Sequence, residues 1–155
     1  MSTNRTNPDR GWCSPNRLPK GPNGRALCRQ CATEVPPGRR TFCSATCVEQ
    51  WKIRSDPGFV RKMVYGRDRG VCAQCGVDTM VAYGKQQKEF PGSVYSRVRA
   101  GWRGTGSFWQ ADHIVPVCEG GGECDLSNFR TLCTQCHHVE TAALVKRRAA
   151  LRKAL

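Results

Sequence analysis

Long apolar runs are missing from this chain: no segment approaches the roughly 18 consecutive apolar residues that a membrane-spanning helix requires. Residues 1–25 are polar and rich in Arg, Pro and Asn, and hold no apolar stretch resembling an export signal. Apolar residues make up only 39% of 155 positions, enough for one domain, or one domain with a small appended finger. There is no low-complexity tract, and no internal repeat beyond recurring Cys-x-x-Cys modules. Acidic residues are scarce as well, 12 Asp and Glu against 25 Lys and Arg, for a formal net charge of +13. That imbalance suits a polyanionic partner, because neutralising phosphates releases condensed counterions. Charge alone thus points to nucleic acid, with ribosomal association and acidic-lipid binding also compatible.

What the chain has in excess is cysteine, eleven residues. Without an export signal these read as reduced, intracellular and zinc-bound rather than paired as disulfides. Cys28-x-x-Cys31 and Cys43-x-x-x-Cys47 have the spacing of a tetrahedral zinc site made of four thiolates. Cys72-x-x-Cys75 finds its partner pair far downstream at Cys133-x-x-Cys136, a second closed shell that is structural rather than redox-active. Metal staples of this kind compensate for a small core. Cys13, Cys118 and Cys124 remain as free thiols, the last two flanking Gly120–Gly122.

The organisation follows from these modules. Residues 1–24 are expected to form a basic flexible arm, with Pro8, Pro15, Pro19 and Pro22 among Asn, Gly and Arg. Residues 25–56 form a four-cysteine finger, in which Ser44 caps a helix carrying Cys47, Val48 and Trp51. The main domain spans 57–155. Asp56-Pro57 opens a helix whose Phe59, Val60, Met63 and Val64 face a core, with Arg61, Lys62, Arg67 and Arg69 outside; Gly70 ends it. Residues 77–107 form an insert with short helices expected around Met80–Lys88 and Ser93–Trp102. Its Arg97, Arg99 and Arg103, with Lys146 and Arg147 downstream, are candidate phosphate contacts. A final helix runs from about Thr134 to Leu155.

Chemistry concentrates in one stretch. Strand-like Phe108–Ala111 enters Asp112-His113, a Gly-rich loop follows, then Asn128, strand-like Phe129–Leu132, and a helix carrying His137. Asp-His alone is a common dipeptide, and Asn128 alone reads as a turn former. In this order they supply a carboxylate and imidazole for a metal and a second imidazole as a base. The neighbouring His138 points elsewhere on the helix. The side chains at 112, 113 and 137 are expected to converge on one ion-sized gap.

The run from Cys72 to Thr141 resembles HNH endonucleases of the ββα-metal class. Upstream, Phe42-Cys43-Ser44, Trp51 and Ile53-Arg54-Ser55 are similar to the cysteine-rich leader of some of these nucleases. Phe108 to Val117 with Gly120–Gly122 is similar to the nuclease domain of annealing helicases bearing a Ran-binding-type zinc finger. The resemblance implies an α+β fold: a zinc-stapled ββα-metal domain with an N-terminal treble-clef-like finger. It implies His113 as general base, Asp112 and His137 as ligands of a catalytic Mg2+ or Mn2+, and Asn128 pinning the loop. One-metal hydrolysis of DNA, duplex or branched, would leave 5′-phosphate and 3′-hydroxyl ends. Glu140, where many members carry lysine, departs from the pattern, as does Thr141 in place of a third histidine. The competing readings are a nucleic-acid-binding zinc module that does not cut and a zinc-finger adaptor for a protein partner.

Overall fold

The computed structural model describes residues 13–89, 108–122 and 125–153. The chain divides into two compact units between Phe59 and Val60. The expected second helix of residues 77–107, around Ser93–Trp102, lies outside the described residues, as does Cys124.

In the first unit, order reaches back into the segment expected as a flexible arm. A 3-10 turn spans Pro15–Arg17, Lys20 bridges Ala26, and Leu27 N donates to Pro19 O at 2.8 Å. The physical reason is Glu34: its carboxylate accepts from the backbone N–H of Asn23 and Arg25 and from Asn23 Nδ2. From Cys13 onward the prolines thus shape turns that the finger holds in place.

The Cys28–Cys31 knuckle closes through Cys28 N to Thr33 O at 2.8 Å and Ala32 N to Cys28 O at 2.9 Å, with Ala32 at a φ of 56°. Val35, 1% exposed, packs with Cys28 and Cys47 beneath it. Ser44 caps helix α1 (Ala45–Ser55), its hydroxyl accepting from Cys47 N at 3.0 Å. This fixes the first turn, and therefore Cys47, against the knuckle. Trp51 meets Phe42 edge-on at 5.6 Å, and the Arg29 guanidinium lies 4.3 Å over the indole.

Helix α2 (Pro57–Asp68) begins as expected, with Asp56 Oδ1 accepting from Phe59 N and proline in the first turn. Val60 and Val64 are buried. Gly70 follows the helix at a φ of 78°, and a Cβ there would lie 3.1 Å from both Met80 Cγ and Thr79 Oγ1. Only glycine meets both demands. Buried Thr79 donates its hydroxyl to Gly70 O at 2.6 Å and opens helix α3 (Thr79–Glu89).

Strands β1 (Trp109–His113) and β2 (Phe129–Cys133) pair antiparallel, and helix α4 (Thr134–Lys153) continues from β2 and packs against both strands. The second unit is therefore a mixed α+β domain with a ββα core. Leu132, 0% exposed, sits at its centre with Cys72 and Cys133.

Arg67 is exposed, as expected, and Arg61 half-buried, yet both make backbone bonds that the sequence reading did not foresee. Arg61 stacks 3.7 Å from the Trp109 ring and donates to Trp109 O at 3.0 Å; burial lowers its pKa. Arg67 donates to Leu126 O and Phe129 O, while its neighbour Asp68 accepts from Thr131 N and Oγ1 at 3.1 and 2.9 Å. Their charged heads reach backbone acceptors, which helical periodicity does not reveal. The end of α2 thereby grips β2 along its backbone.

Candidate active site and metal centres

The site is built on the β1–β2 hairpin and the start of α4. Register places Asp112 opposite Arg130 and His113 opposite Phe129. Between the strands, Asn128 closes the loop from three directions. Its Oδ1 accepts from Val115 N at 2.8 Å, and Nδ2 donates to Val115 O and Gly121 O at 3.0 and 3.1 Å. Its own carbonyl accepts from Ile114 N at 2.8 Å. Gly121 is required by this arrangement, because a Cβ would fall 1.8 Å from Val115 O. The chain leaving His113 is therefore fixed by one side chain and one glycine.

Asp112 and His137 meet, with His137 Nε2 3.8 Å from Asp112 Oδ1. They come from β1 and from the first turns of α4, which continues directly from β2, so the hairpin brings them together. The Thr141 hydroxyl donates to His137 O at 2.8 Å one turn further on. His138 is exposed, its ring 6.2 Å from that of His137.

Among the described residues, no cluster of three or more metal-capable side chains within 4.8 Å includes Asp112, His113 or His137. His113 packs its ring 4.3 Å from Phe129, its cross-strand partner, while Asp112 meets its own cross-strand partner, Arg130. Burial against this surface lowers the His113 pKa below its usual value, partly opposed by the Asp112 charge. Burial thus favours the neutral imidazole, the form with a lone pair available.

The sequence missed Arg130. Its Nε and Nη2 donate to Asp112 Oδ2 at 3.4 and 3.3 Å, and Nη2 lies 3.5 Å from Glu140 Oε2. The signal would have been the hairpin register, which sequence spacing alone does not give. Of the candidate phosphate contacts, Lys146 and Arg147 are exposed on α4, and Arg147 pairs with Glu119 at 3.3 Å. Arg97, Arg99 and Arg103 lie outside the described residues.

Both cysteine tetrads assemble as the spacings require: within each of Cys28/Cys31/Cys43/Cys47 and Cys72/Cys75/Cys133/Cys136 all four sulfurs lie within 4.8 Å of one another. Individual S···S separations are 3.4 Å for Cys43–Cys47, 3.5 Å for Cys31–Cys43 and 3.8 Å for Cys75–Cys133. Four thiolates about 2.3 Å from a tetrahedral zinc stand about 3.8 Å apart, so both groups fit that ion. The thiols also contend for charge. Contact with Thr33 lowers Cys31 to about 6, while Cys47 and then Cys31 push Cys43 up to about 12. Four thiols that cannot all ionise together are what a divalent cation relieves. Both tetrads can bind zinc.

Residues 101–142 match the HNH endonuclease family. The DNA annealing helicase and endonuclease ZRANB3 of Mus musculus is 35% identical over 154 residues, covering 84% of this chain and 14% of that protein. The Homo sapiens protein of the same name is 35% identical over 127 residues, 72% of this chain and 12% of that protein. The chain therefore spans only a small part of these relatives. The crystal structure of the human ZRANB3 HNH domain is 32% identical, covering 64% of this chain and 97% of that domain, with a TM-score of 0.49.

Proposed function

The chain belongs to the HNH endonuclease family, with a domain related to the ZRANB3 nuclease domain, and from that premise we propose that it is a metal-dependent DNA endonuclease. The observation that carries this reading is the approach of His137 to Asp112 beside a loop that Asn128 locks immediately after His113. In this reading His113 is the general base: its neutral imidazole accepts a proton from the water that attacks phosphorus. Asp112 and His137 are the two side chains that would hold the divalent ion, Mg2+ or Mn2+. Such an ion, when bound, supplies Lewis-acid stabilisation at the scissile phosphate and its departing 3′ oxygen. Asn128 acts at a distance, fixing the loop so that His113 keeps its bearing on the substrate. Hydrolysis in this sense leaves 5′-phosphate and 3′-hydroxyl ends.

The two tetrads hold structural zinc in this proposal, with no coordination position left for substrate. Reduced thiols suit an intracellular protein, and among the described residues every cysteine is free. The net charge of +13 supports DNA, duplex or branched, as the partner, with Lys146, Arg147, Arg97, Arg99 and Arg103 contacting phosphates.

Cleavage of plasmid, linear and forked DNA by zinc-loaded protein, with Mg2+ or Mn2+, tests the reading. His113→Ala is expected to lose about 10²–10⁴-fold in rate while retaining salt-sensitive DNA binding. Binding without cutting by the wild type under any divalent ion would leave a non-catalytic binding module instead. Absence of both would leave an adaptor.

A further inference from the structure

The cluster at the base of α4 already contains a cation. Arg130 lies between two carboxylates, Asp112 and Glu140, and shares Asp112 with His137: Oδ2 faces the guanidinium and Oδ1 faces the imidazole. An ion held by Asp112 and His137 would therefore share its carboxylate with a like charge. The guanidinium contacts are loose. They run from 3.3 to 3.5 Å, against about 2.7–2.9 Å for a tight charge-assisted bond, and all four side chains are partly open to solvent, between 21% and 34% exposed. Partly open pairs at such long separations resist exchange less than tight, buried ones. Among the described residues Arg130 Nη1 has no partner, so the guanidinium retains donors for another anion.

A phosphodiester is the anion best matched to those donors, since phosphate oxygens accept a guanidinium in a bidentate fork. We propose that Arg130 couples ion binding to DNA binding: in the free protein it occupies Asp112 and opposes the divalent ion, and a DNA phosphate draws it away. Glu140 is the tether in this exchange. It holds the guanidinium from α4 when Asp112 is released, which assigns a role to this carboxylate. With Asp112 and Glu140 negative and Arg130 positive, the free cluster carries a net charge of −1. Adding a divalent ion brings it to +1, matched to one incoming phosphodiester. Linkage then requires DNA to tighten the ion by the same factor as the ion tightens DNA.

The inference rests on the proposed ligand role of Asp112 and His137, and the experiment separates the two. Mn2+ affinity is measured by electron paramagnetic resonance on the full zinc-loaded chain, with and without duplex DNA, in a His113→Ala background that prevents cutting. Neutral Arg130→Gln and Arg130→Met are expected to tighten Mn2+ in the free protein, on the scale of allosteric couplings, about 5–150-fold. The additional gain on adding DNA should shrink by the same factor. Arg130→Lys, which keeps the charge, should stay close to the unsubstituted affinity. Unchanged or weaker Mn2+ binding in both neutral variants overturns the coupling, because an arginine that merely braces Asp112 gives that sign. Loss of zinc or of the thermal transition in both also overturns it, since a residue free to swing cannot be what holds the hairpin. If Asp112→Asn and His137→Ala leave Mn2+ binding intact, the ion-site reading falls as well. If those two variants weaken binding and the neutral ones do not tighten it, the coupling alone falls.

Discussion

Replacing Asn128 with alanine and with aspartate separates a hydrogen-bonding role from a merely steric one. The alanine variant removes three bonds, one accepted from Val115 N and two donated to Val115 O and Gly121 O. At about 0.5–1.5 kcal/mol net per bond, and with water able to reach part of this loop, the loss is about 2 kcal/mol. In a unit running from Val60 to Leu155, that lowers Tm by about 8–16 °C. Aspartate is nearly isosteric but has no donor. One carboxylate oxygen would face two carbonyls that now sit 3.0 and 3.1 Å from Nδ2. Asn128→Asp should therefore melt below Asn128→Ala, contrary to ordinary expectations of conservative change. Because the loop leaves directly from His113, both variants should also nick plasmid about 10²-fold more slowly, the cost of a displacement near 1 Å. Calorimetry on zinc-loaded protein and a nicking time course decide the matter. Aspartate melting with the wild type, or at or above alanine, would show that the amide donors do not hold this loop.

Other expectations concern the supports of the site. Cys133→Ser should lower bound zinc from two ions per chain to one and abolish the thermal transition of the second unit, as read by metal analysis and calorimetry. Asp68→Asn should cost about 1–3 kcal/mol at neutral pH, since it weakens charge-assisted bonds to Thr131. Hydrogen bonding from Arg67, then Thr131, holds the Asp68 pKa below the usual carboxylate range despite partial burial. Its contribution is therefore complete above about pH 4 and is lost as pH falls through the folded value. Denaturation of wild type and Asp68→Asn across this range should converge on the acid side.

Local rules made much of this fold legible. Ser44 before the first helix, Asp56-Pro57 before the second and Gly70 after it are signals read within a few residues, and each acts as expected. The tetrads were legible because thiolate zinc chemistry restricts spacing, even where the two pairs are far apart in sequence. Asn128 was legible as the residue pinning the loop through the family resemblance, and its bonds bear that geometry out. What escaped depends on how distant backbone segments register. The backbone bonds of Arg61 and Arg67 are invisible on a helical wheel because their acceptors are carbonyls of β1, β2 and the turn before β2. Arg130 escaped because nothing local shows that it lies across from Asp112.

The second tetrad also bears on how this domain tolerates change in length. Cys72 and Cys75 clasp Cys133 and Cys136, and Ala73 N donates to Thr131 O at 2.8 Å, so the chain departs and returns at nearly one point. Closing a longer excursion between fixed ends costs little, about 0.6 kcal/mol for each doubling. Segments inserted between Cys75 and the first strand can therefore grow, shrink or be exchanged among descendants, while the helix bearing His137 stays anchored at its origin.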